Sequence, residues 1–514
     1  MKRDGFCLSL WQHDTPQYNN KASHMSDGRI PTHIFDVVII GGGVTGVSTA
    51  LQLQKAGKSC ILLEAQNLGF GTTGGTTAHL NTVLDESYDR IIKNHGEANA
   101  KRVADTARNA MERIRRNIEE YNIDCDYKDV RGYMYAQTDT QAEELQKILE
   151  GTKQVGEQME YTDAIPVTIP FQKAVVFEKQ AQFNPIKYLY GIAEAFENAG
   201  GIILQECRAT DVTVTDGVAV VTTNKTEVRA RNVVYATHIP PGVNVLHFTC
   251  APYRSYAMAV KLSDKNYPDG LAYDMYDPYR YYRTQVIEGE RYLIAGGEDH
   301  KTAHEINTEK CFRELEAYVR QFFNVESVPF KWSSQYFTSA DGLPYIGHLP
   351  GNPDNVYVAT GFGGNGFTHG TTAASIIADL ICTGKSEYAD LYSPARVKPI
   401  AGFENIVKEA ADVVGSLIVG WLHTDKLNEL VDLARGDGKV VNYDGKKIGV
   451  YKDEVGKLYA VNPSCPHIQC SVSWNTCEKT WDCPCHGSRF SFTGGMVTGP
   501  ARKDLQQIDL RKDS

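Results

Sequence analysis

Two short stretches near the C-terminus pair thiols with imidazoles at fixed spacing: Cys465-Pro466-His467 and, after fifteen intervening residues, Cys483-Pro484-Cys485-His486. One Cys and one His from each stretch can hold a two-iron sulfide cluster, with Cys465 and Cys483 on one iron and His467 and His486 on the other. Zinc accepts the same donor types and is the competing reading, although zinc fingers gather their histidines in the second half of the site.

A second chemistry lies near the N-terminus. The apolar run Phe35 to Ile40 suits a buried parallel strand, and Gly41-Gly42-Gly43-Val44-Thr45-Gly46 follows it directly, opening a helix-like stretch to Ala56. Gly41 permits a tight turn, Gly43 lets the backbone approach a pyrophosphate, and Gly46 allows helix and strand to pack closely, the pattern of a dinucleotide-binding turn. A second strand, Ser59 to Leu63, ends in Glu64, where a carboxylate can accept hydrogen bonds from ribose hydroxyls. The turn alone does not separate FAD from NAD.

Three further segments carry a family resemblance: Gly69 to Leu80, Phe183-Asn184-Pro185-Ile186 before a helix, and Asp341 to Gly347. With the strand Asn355 to Ala359, the loop Thr360 to Gly366 and the apolar helix Thr371 to Ile381, they make residues 34–396 similar to the D-amino-acid oxidase and glycine oxidase family of flavoproteins. The resemblance implies FAD as cofactor, held by Gly41, Gly43, Gly46, Glu64, Thr72, Thr73 and His79 and by the loop Gly361, Gly363, Gly364, Asn365 and Gly366. In that family the second glycine loop and helix start lie against the flavin ring, where backbone N–H groups favour the negative charge of a reduced flavin at its N1–C2=O edge. Some amine-oxidising relatives attach the flavin covalently through a histidine in a similar loop, so His79 is a candidate for attachment or for simple contact. The run Tyr281-Tyr282-Arg283 is expected in a substrate pocket, because a guanidinium beside phenols can clamp a carboxylate, and Tyr282 and Arg283 are its catalytic candidates. Sarcosine oxidases carry a lysine where this chain has Thr368, so their carboxylate-binding scheme does not transfer, and the neighbouring His369 becomes the third catalytic candidate.

The cysteine and histidine stretches in turn resemble Rieske proteins of respiratory and photosynthetic cytochrome complexes. That resemblance implies a [2Fe-2S] cluster, a disulfide between Cys470 and Cys485 bracing the two cluster loops, and an unpaired Cys477. Ser488 is kept as a hydroxyl donor to sulfur, whereas Phe490 replaces a tyrosine and removes a second donor, which lowers the expected potential.

The elements that must position these residues fall into an expected order. Residues 1–33 form an N-terminal extension; 34–396 form the FAD-dependent oxidoreductase, with FAD-binding parts 34–118, 184–250 and 337–396 and a substrate domain of 119–183 and 251–336; 397–425 form a connector helix; and 426–514 form the Rieske domain. The fold class is an α/β Rossmann-like FAD-binding domain with a mostly antiparallel α+β substrate domain, followed by an all-β Rieske domain. At 514 residues, with 23 % charged and 42 % hydrophobic residues, the chain has ample material for several cores. A formal net charge of −10 without a long basic run argues against nucleic acid as a partner. The apolar stretch Val413 to Leu422 is too short to span a bilayer, and the N-terminal stretch lacks the apolar core of a signal peptide, so a cytoplasmic protein is expected.

The combined expectation is FAD-dependent oxidation of a small amine or amino acid, with an N-methylated one included, the electrons passing through the cluster to an external acceptor that the sequence does not name. The alternatives are an NAD(P)H-linked electron-transfer reductase, for which no second nucleotide fingerprint is visible, and a flavin and iron-sulfur redox sensor. A Rieske oxygenase would need a further mononuclear iron site, and none stands out.

Overall fold

The computed structural model describes residues 3–21, 33–396, 425–426 and 433–510. The expected connector helix, with Ile406, Ala410, Val413 and Ile418, lies outside the described residues. Among the described residues, no helix is long and apolar enough to cross a membrane.

The strand Phe35–Ile40 is buried along nearly its whole length, as a central parallel strand must be, and its apolar run supplies no polar face. It pairs in parallel with Cys60–Leu63 on one side and Glu227–Tyr235 on the other; Ile202–Leu204 and Val356–Thr360 extend this parallel core, and Tyr345–His348 closes one edge antiparallel. The helix Val44–Lys55 makes the crossover from the first of these strands to the second. A second helix, Gly366–Thr383, follows Val356–Thr360 and starts five residues before the expected Thr371, because Asn365 and Gly366 already turn the chain.

The nine-stranded second sheet is antiparallel except where Leu271–Asp274 runs parallel to Lys128–Ala136. Its long members Cys250–Leu262, Glu290–Lys301 and Val325–Ser339 bury one face on the helix Thr308–Phe322. The C-terminal part is built from a five-stranded and a four-stranded sheet. Its two loops 465–470 and 483–488 face each other between short strands, over a core containing Trp474, Trp481 and Phe490.

Residues 3–21 of the N-terminal extension are part of the folded body. The short helix Leu10–Asp14, capped by Ser9, buries Leu10 and Trp11 in the main core. Trp11 Nε1 donates to Thr76 O at 2.7 Å, and Gln12 Nε2 donates to Gly69 O at 3.1 Å, so this helix props the loop that follows the second Rossmann-like strand. Ahead of it, Arg3 and Asp4 enter a buried set of three cations and three carboxylates drawn from distant stretches of chain. Asp4 pairs with Arg3 at 2.9 Å and with Arg489 at 3.1 Å; Arg489 also holds Asp482 at 3.2 Å; Glu478 faces Arg3 at 3.7 Å and Arg254 at 4.0 Å. Ser333 Oγ donates to Glu478 at 2.6 Å, tying the set to the second sheet. All six charged side chains are at most 3 % exposed.

Burial opposes ionisation of Asp4, Glu478 and Asp482, but the surrounding guanidiniums outweigh it and hold all three carboxyls below their ordinary range. Arg254 is the least well served: burial and the like charge of Arg489 pull it down, and its Nε has no partner. Breaking such a pair strands a buried charge, so Glu478→Ala should cost about 3–5 kcal/mol in urea unfolding, whereas Lys101→Ala, in an exposed i,i+4 pair with Glu97, should cost under about 0.5 kcal/mol. Since the three carboxyls are depressed in the folded state, their contribution is complete above the unfolded carboxylate range of about 4 and is lost as pH falls through the lower folded values. A melting temperature that drops below about pH 4 in the native chain, with a smaller drop in Glu478→Ala, checks this.

Candidate functional site

A cavity of about 350 Å³ opens at the C-terminal ends of Phe35–Ile40 and Cys60–Leu63 and runs beneath the second sheet. Of the residues expected around FAD, Gly41, Gly43, Glu64, Thr72, Thr73, His79 and the run 363–366 line it. Gly46 and Gly361 stand behind the wall.

Local chemistry explains the turn. Gly41 has φ +117°, which disfavours a side chain, and a Cβ on Gly46 would fall 1.9 Å from the Gly41 carbonyl oxygen. The helix Val44–Lys55 begins with Gly43 at its cap and no capping bond from that residue, so its first turn stands at the cavity wall. Gly42 N donates to Glu64 Oε2 at 2.7 Å and Gln66 N to Oε1 at 2.8 Å, which fixes the carboxylate at the rim. Burial raises the Glu64 pKa against these N–H groups, so a hydroxyl donor arriving there is favoured. Thr73 Oγ1 accepts from Val44 N at 3.1 Å, and Thr72 Oγ1 donates to Gln335 O at 2.6 Å. At the other end, Asn365, Gly366 and Phe367 bring the start of the helix Gly366–Thr383 into the wall. A glycine-lined slot with two helix starts and a carboxylate at its rim fits an elongated dinucleotide.

The three catalytic candidates are placed elsewhere. Side chains on a strand alternate in direction, and in Tyr281–Ile287 that alternation turns Tyr282 away from the cavity into a core with Tyr135 and Tyr256, its ring 5.5 Å from Phe323. Tyr281, expected in the same pocket, does line the cavity. Arg283 points the same way as Tyr281 but is spent: its guanidinium donates to Ala78 O and Phe183 O at 3.2 Å and to Gln285 Oε1 at 2.8 Å, and lies over the Trp11 ring. Burial lowers its pKa to about 9. It holds the backbone beside His79 through its terminal nitrogens, while its buried Nε has no partner. His369 is buried within its helix, with Nδ1 unpartnered and its pKa lowered to about 4 by burial, outside the cavity wall. His79 does reach the cavity; Nδ1 shares a 2.7 Å hydrogen bond with the Tyr273 hydroxyl, Nε2 is unpartnered, and burial keeps the ring neutral.

Around Tyr281, which was expected in the substrate pocket, sequence reasoning missed a group of side chains at one end of this cavity: Asp85, Tyr273, Tyr279, Asp299 and Tyr336. Asp299 Oδ2 accepts from Tyr336 OH at 2.8 Å, while Oδ1 is sealed from solvent without a partner. Burial pushes Asp299 up to about 7, and Asp85 is likewise raised by burial. The available signal was the acidic close of Glu290–Lys301, where Glu298 and Asp299 end an otherwise apolar strand.

The second site lies in the C-terminal loops. Cys465 and Cys483 are buried free thiols, and Cys470 is joined to Cys485 by a disulfide with a Cα–Cα distance of 6.5 Å. The sulfurs of Cys470, Cys483 and Cys485 lie within 4.8 Å of one another, but the disulfide consumes two of them, leaving Cys483 to act with Cys465. The Cys483 thiol donates to Cys465, which lowers the Cys465 pKa and raises that of Cys483, and backbone N–H groups from both loops point at these sulfurs. The rings of His467 and His486 are 4.9 Å apart. His467 Nε2–H donates to Gly242 O at 3.0 Å, which leaves Nδ1 as the lone-pair nitrogen, and it has no partner; neither nitrogen of His486 has one. Two thiols in contact and two imidazoles with orphaned nitrogens fit a metal-sulfide group bound by mixed ligands. Phe490 is fully buried and brings no hydroxyl to this site, and Cys477 is unpaired.

The two sites share a wall. Gln335, which lines the cavity, donates from Nε2 to Gly487 O at 2.9 Å, next to His486. Gly242 follows the cavity residue Pro241, and its N–H donates to Pro500 O at 2.9 Å. His247 packs its ring 4.8 Å from that of His467. The strand Met496–Thr498 itself closes part of the cavity.

Comparison with known proteins assigns both halves. Residues 36–380 match the family model of FAD-dependent oxidoreductases, and residues 423–509 match that of the Rieske [2Fe-2S] domain. The chain is 33 % identical over 477 residues to the Bacillus subtilis protein YhfW, named as a Rieske 2Fe-2S iron-sulfur protein, covering 92 % of this chain and 93 % of that one. It is 27 % identical to gamma-glutamylputrescine oxidoreductase of Escherichia coli, over 71 % of this chain and 88 % of that one. Glycine oxidase from Geobacillus kaustophilus has the same fold, with a TM-score of 0.61 at 18 % identity, over 71 % of this chain and all of that one. The Gly46→Ala variant should lose flavin about tenfold, because its Cβ displaces the helix from the turn. The ratio of visible flavin absorbance to protein absorbance in the purified variant measures this.

Proposed function

The chain belongs to the FAD-dependent oxidoreductase family and carries a Rieske [2Fe-2S] domain, and from that membership we propose that it oxidises a small amine or amino acid and passes the electrons through its cluster to an external acceptor. The observation that carries the relay is the shared wall: Gln335 faces the flavin cavity on one side and hydrogen-bonds the loop of His486 on the other. A simple oxidase has no use for such a wall, since both electrons can leave the flavin for oxygen.

Bound FAD supplies the acceptor for the hydride that leaves a CH–NH unit as it becomes an imine, and the bound cluster supplies one-electron carriage to the acceptor. The chain's own residues hold these groups. In this reading Gly41, Gly43, Glu64, Thr72 and Thr73 seat the dinucleotide, with Gly46 supporting the turn, and residues 363–366 present N–H groups to the flavin ring. Gly361 supports that loop from behind. Cys465, His467, Cys483 and His486 hold the cluster, and the Cys470–Cys485 disulfide fixes the two loops against each other. The 3.0 Å bond from His467 to Gly242 O sets the tautomer that presents Nδ1 to the cluster. His79 meets the flavin end of the cavity as a neutral ring. The relative named for an amine substrate supports the CH–NH class.

Anaerobic addition of substrate amine should bleach the flavin and then raise a rhombic electron paramagnetic resonance signal from the reduced cluster. In Cys483→Ser the bleaching should occur with no paramagnetic cluster appearing. Bleaching by NAD(P)H rather than amines would assign the reductase function instead, and bleaching by neither would leave the sensor. A cluster that stays oxidised beside a fully reduced flavin would remove the relay.

A further inference from the structure

The acidic end of the flavin cavity has a composition that the oxidation reading does not require. Asp85 and Asp299 both line it, and four phenols, Tyr273, Tyr279, Tyr281 and Tyr336, surround them. The Asp85 carboxyl lies close enough to help raise the pKa of Asp299, and burial raises both. Their hydrogen bonds come from neutral donors: Tyr336 OH to Asp299 at 2.8 Å, and Tyr279 with the Gly364 N–H to Asp85. The hydroxyl of Ser255, near Asp299, shares a 3.0 Å bond with Tyr281. Asp299 Oδ1 remains sealed and unpartnered at the cavity wall.

Among the described residues, no guanidinium or ammonium balances this pair. Arg280, on the adjoining loop, is committed to Glu298 at 2.7 Å and to Asp274 at 3.6 Å, with its plane 4.0 Å from the Tyr318 ring. Arg283 is committed to two backbone carbonyls and Gln285. A substrate carboxylate entering here would meet two carboxyl groups whose pKa values burial raises and no cation, whereas an ammonium would favour the ionised form of both and lie among phenol side chains. Enclosed carboxylates that only neutral donors serve are costly to ionise unless a ligand brings the opposite charge.

We propose that the substrate is a di- or polyamine without a carboxylate, whose charged amino groups are received by Asp299, Asp85 and the tyrosine cage while a CH–NH unit faces the flavin. This rests on the amine-oxidation reading and narrows it, excluding amino acids as the preferred class. The second ammonium is the recognition element, so affinity follows the charge of the molecule at constant length.

The test uses the full-length holoprotein and three probes of equal backbone: 1,4-diaminobutane, n-butylamine and 4-aminobutanoate. Two quantities are read anaerobically, the perturbation of the oxidised flavin spectrum on titration and the rate of flavin bleaching. The diamine should bind and react with at least about tenfold preference over the monoamine, and the amino acid should be poorest, since a site built around a polar group rejects a ligand lacking it. In Asp299→Asn the ratio of diamine to monoamine should collapse toward one. Equal response to diamine and monoamine, or a preference for 4-aminobutanoate, would overturn the proposal while leaving amine oxidation intact. Spectral perturbation in the predicted charge order without bleaching would uphold the cation site and overturn the oxidation reading. Absence of both responses with all three probes would overturn both.

Discussion

Six charged side chains without access to water meet where the N-terminal segment, the second sheet and the C-terminal domain converge, and each finds its counter-charge on another stretch of chain. Arg3 and Asp4 come from one end of the sequence, Arg254 from the middle, and Glu478, Asp482 and Arg489 from the other end. Removing any one leaves an uncompensated charge in a low-dielectric interior, so the set acts as a register pin more than as a source of net stability. Its position decides how the cluster loops sit on the flavin cavity. Glu478 fixes Ser333, two residues from Gln335, and Arg489 follows the loop of Cys483 and His486.

That geometry gives the shared wall its meaning. The loops carrying Cys465, His467, Cys483 and His486 are held by hydrogen bonds at Gly242 and Gln335, and the strand Met496–Thr498 closes the cavity from the same side. A carrier that swings between partners would need these contacts to break. Here the backbone carbonyls of Gly242 and Gly487 are both engaged, and Arg208 and Arg502 add outer contacts with Met496 O and Asp211.

Local signals were legible in the sequence and long-range ones were not. The Gly41 to Gly46 turn, its flanking strand and Glu64 could be read because a single βαβ unit contains the whole arrangement. The two loops that pair a Cys with a His could be read because residue type and spacing lie within short stretches of chain. Tyr282 and Arg283 could not be placed, since strand parity aims one into the core and Trp11, from a segment with no motif, occupies the face of the other. The acidic cage escaped for the same reason. Asp85 sits in a loop, Asp299 at the close of one strand and Tyr336 on another, and only the folding of the second sheet brings them to one cavity end. His247 is a further case: its approach to His467 joins two halves of the chain that share no sequence signal.

The pairing of Asp4 with Arg489 spans 485 positions. During synthesis the first of these residues leaves the ribosome roughly half a minute to a minute and a half before the second, at elongation rates of about 5–20 residues per second. Through that interval the flavin half can close its own sheets, but the docking surface for the last domain stays hydrated and its charges stay in water. Nascent chains thus pass through a long-lived stage in which a coenzyme-ready half waits for iron chemistry to be completed beside it.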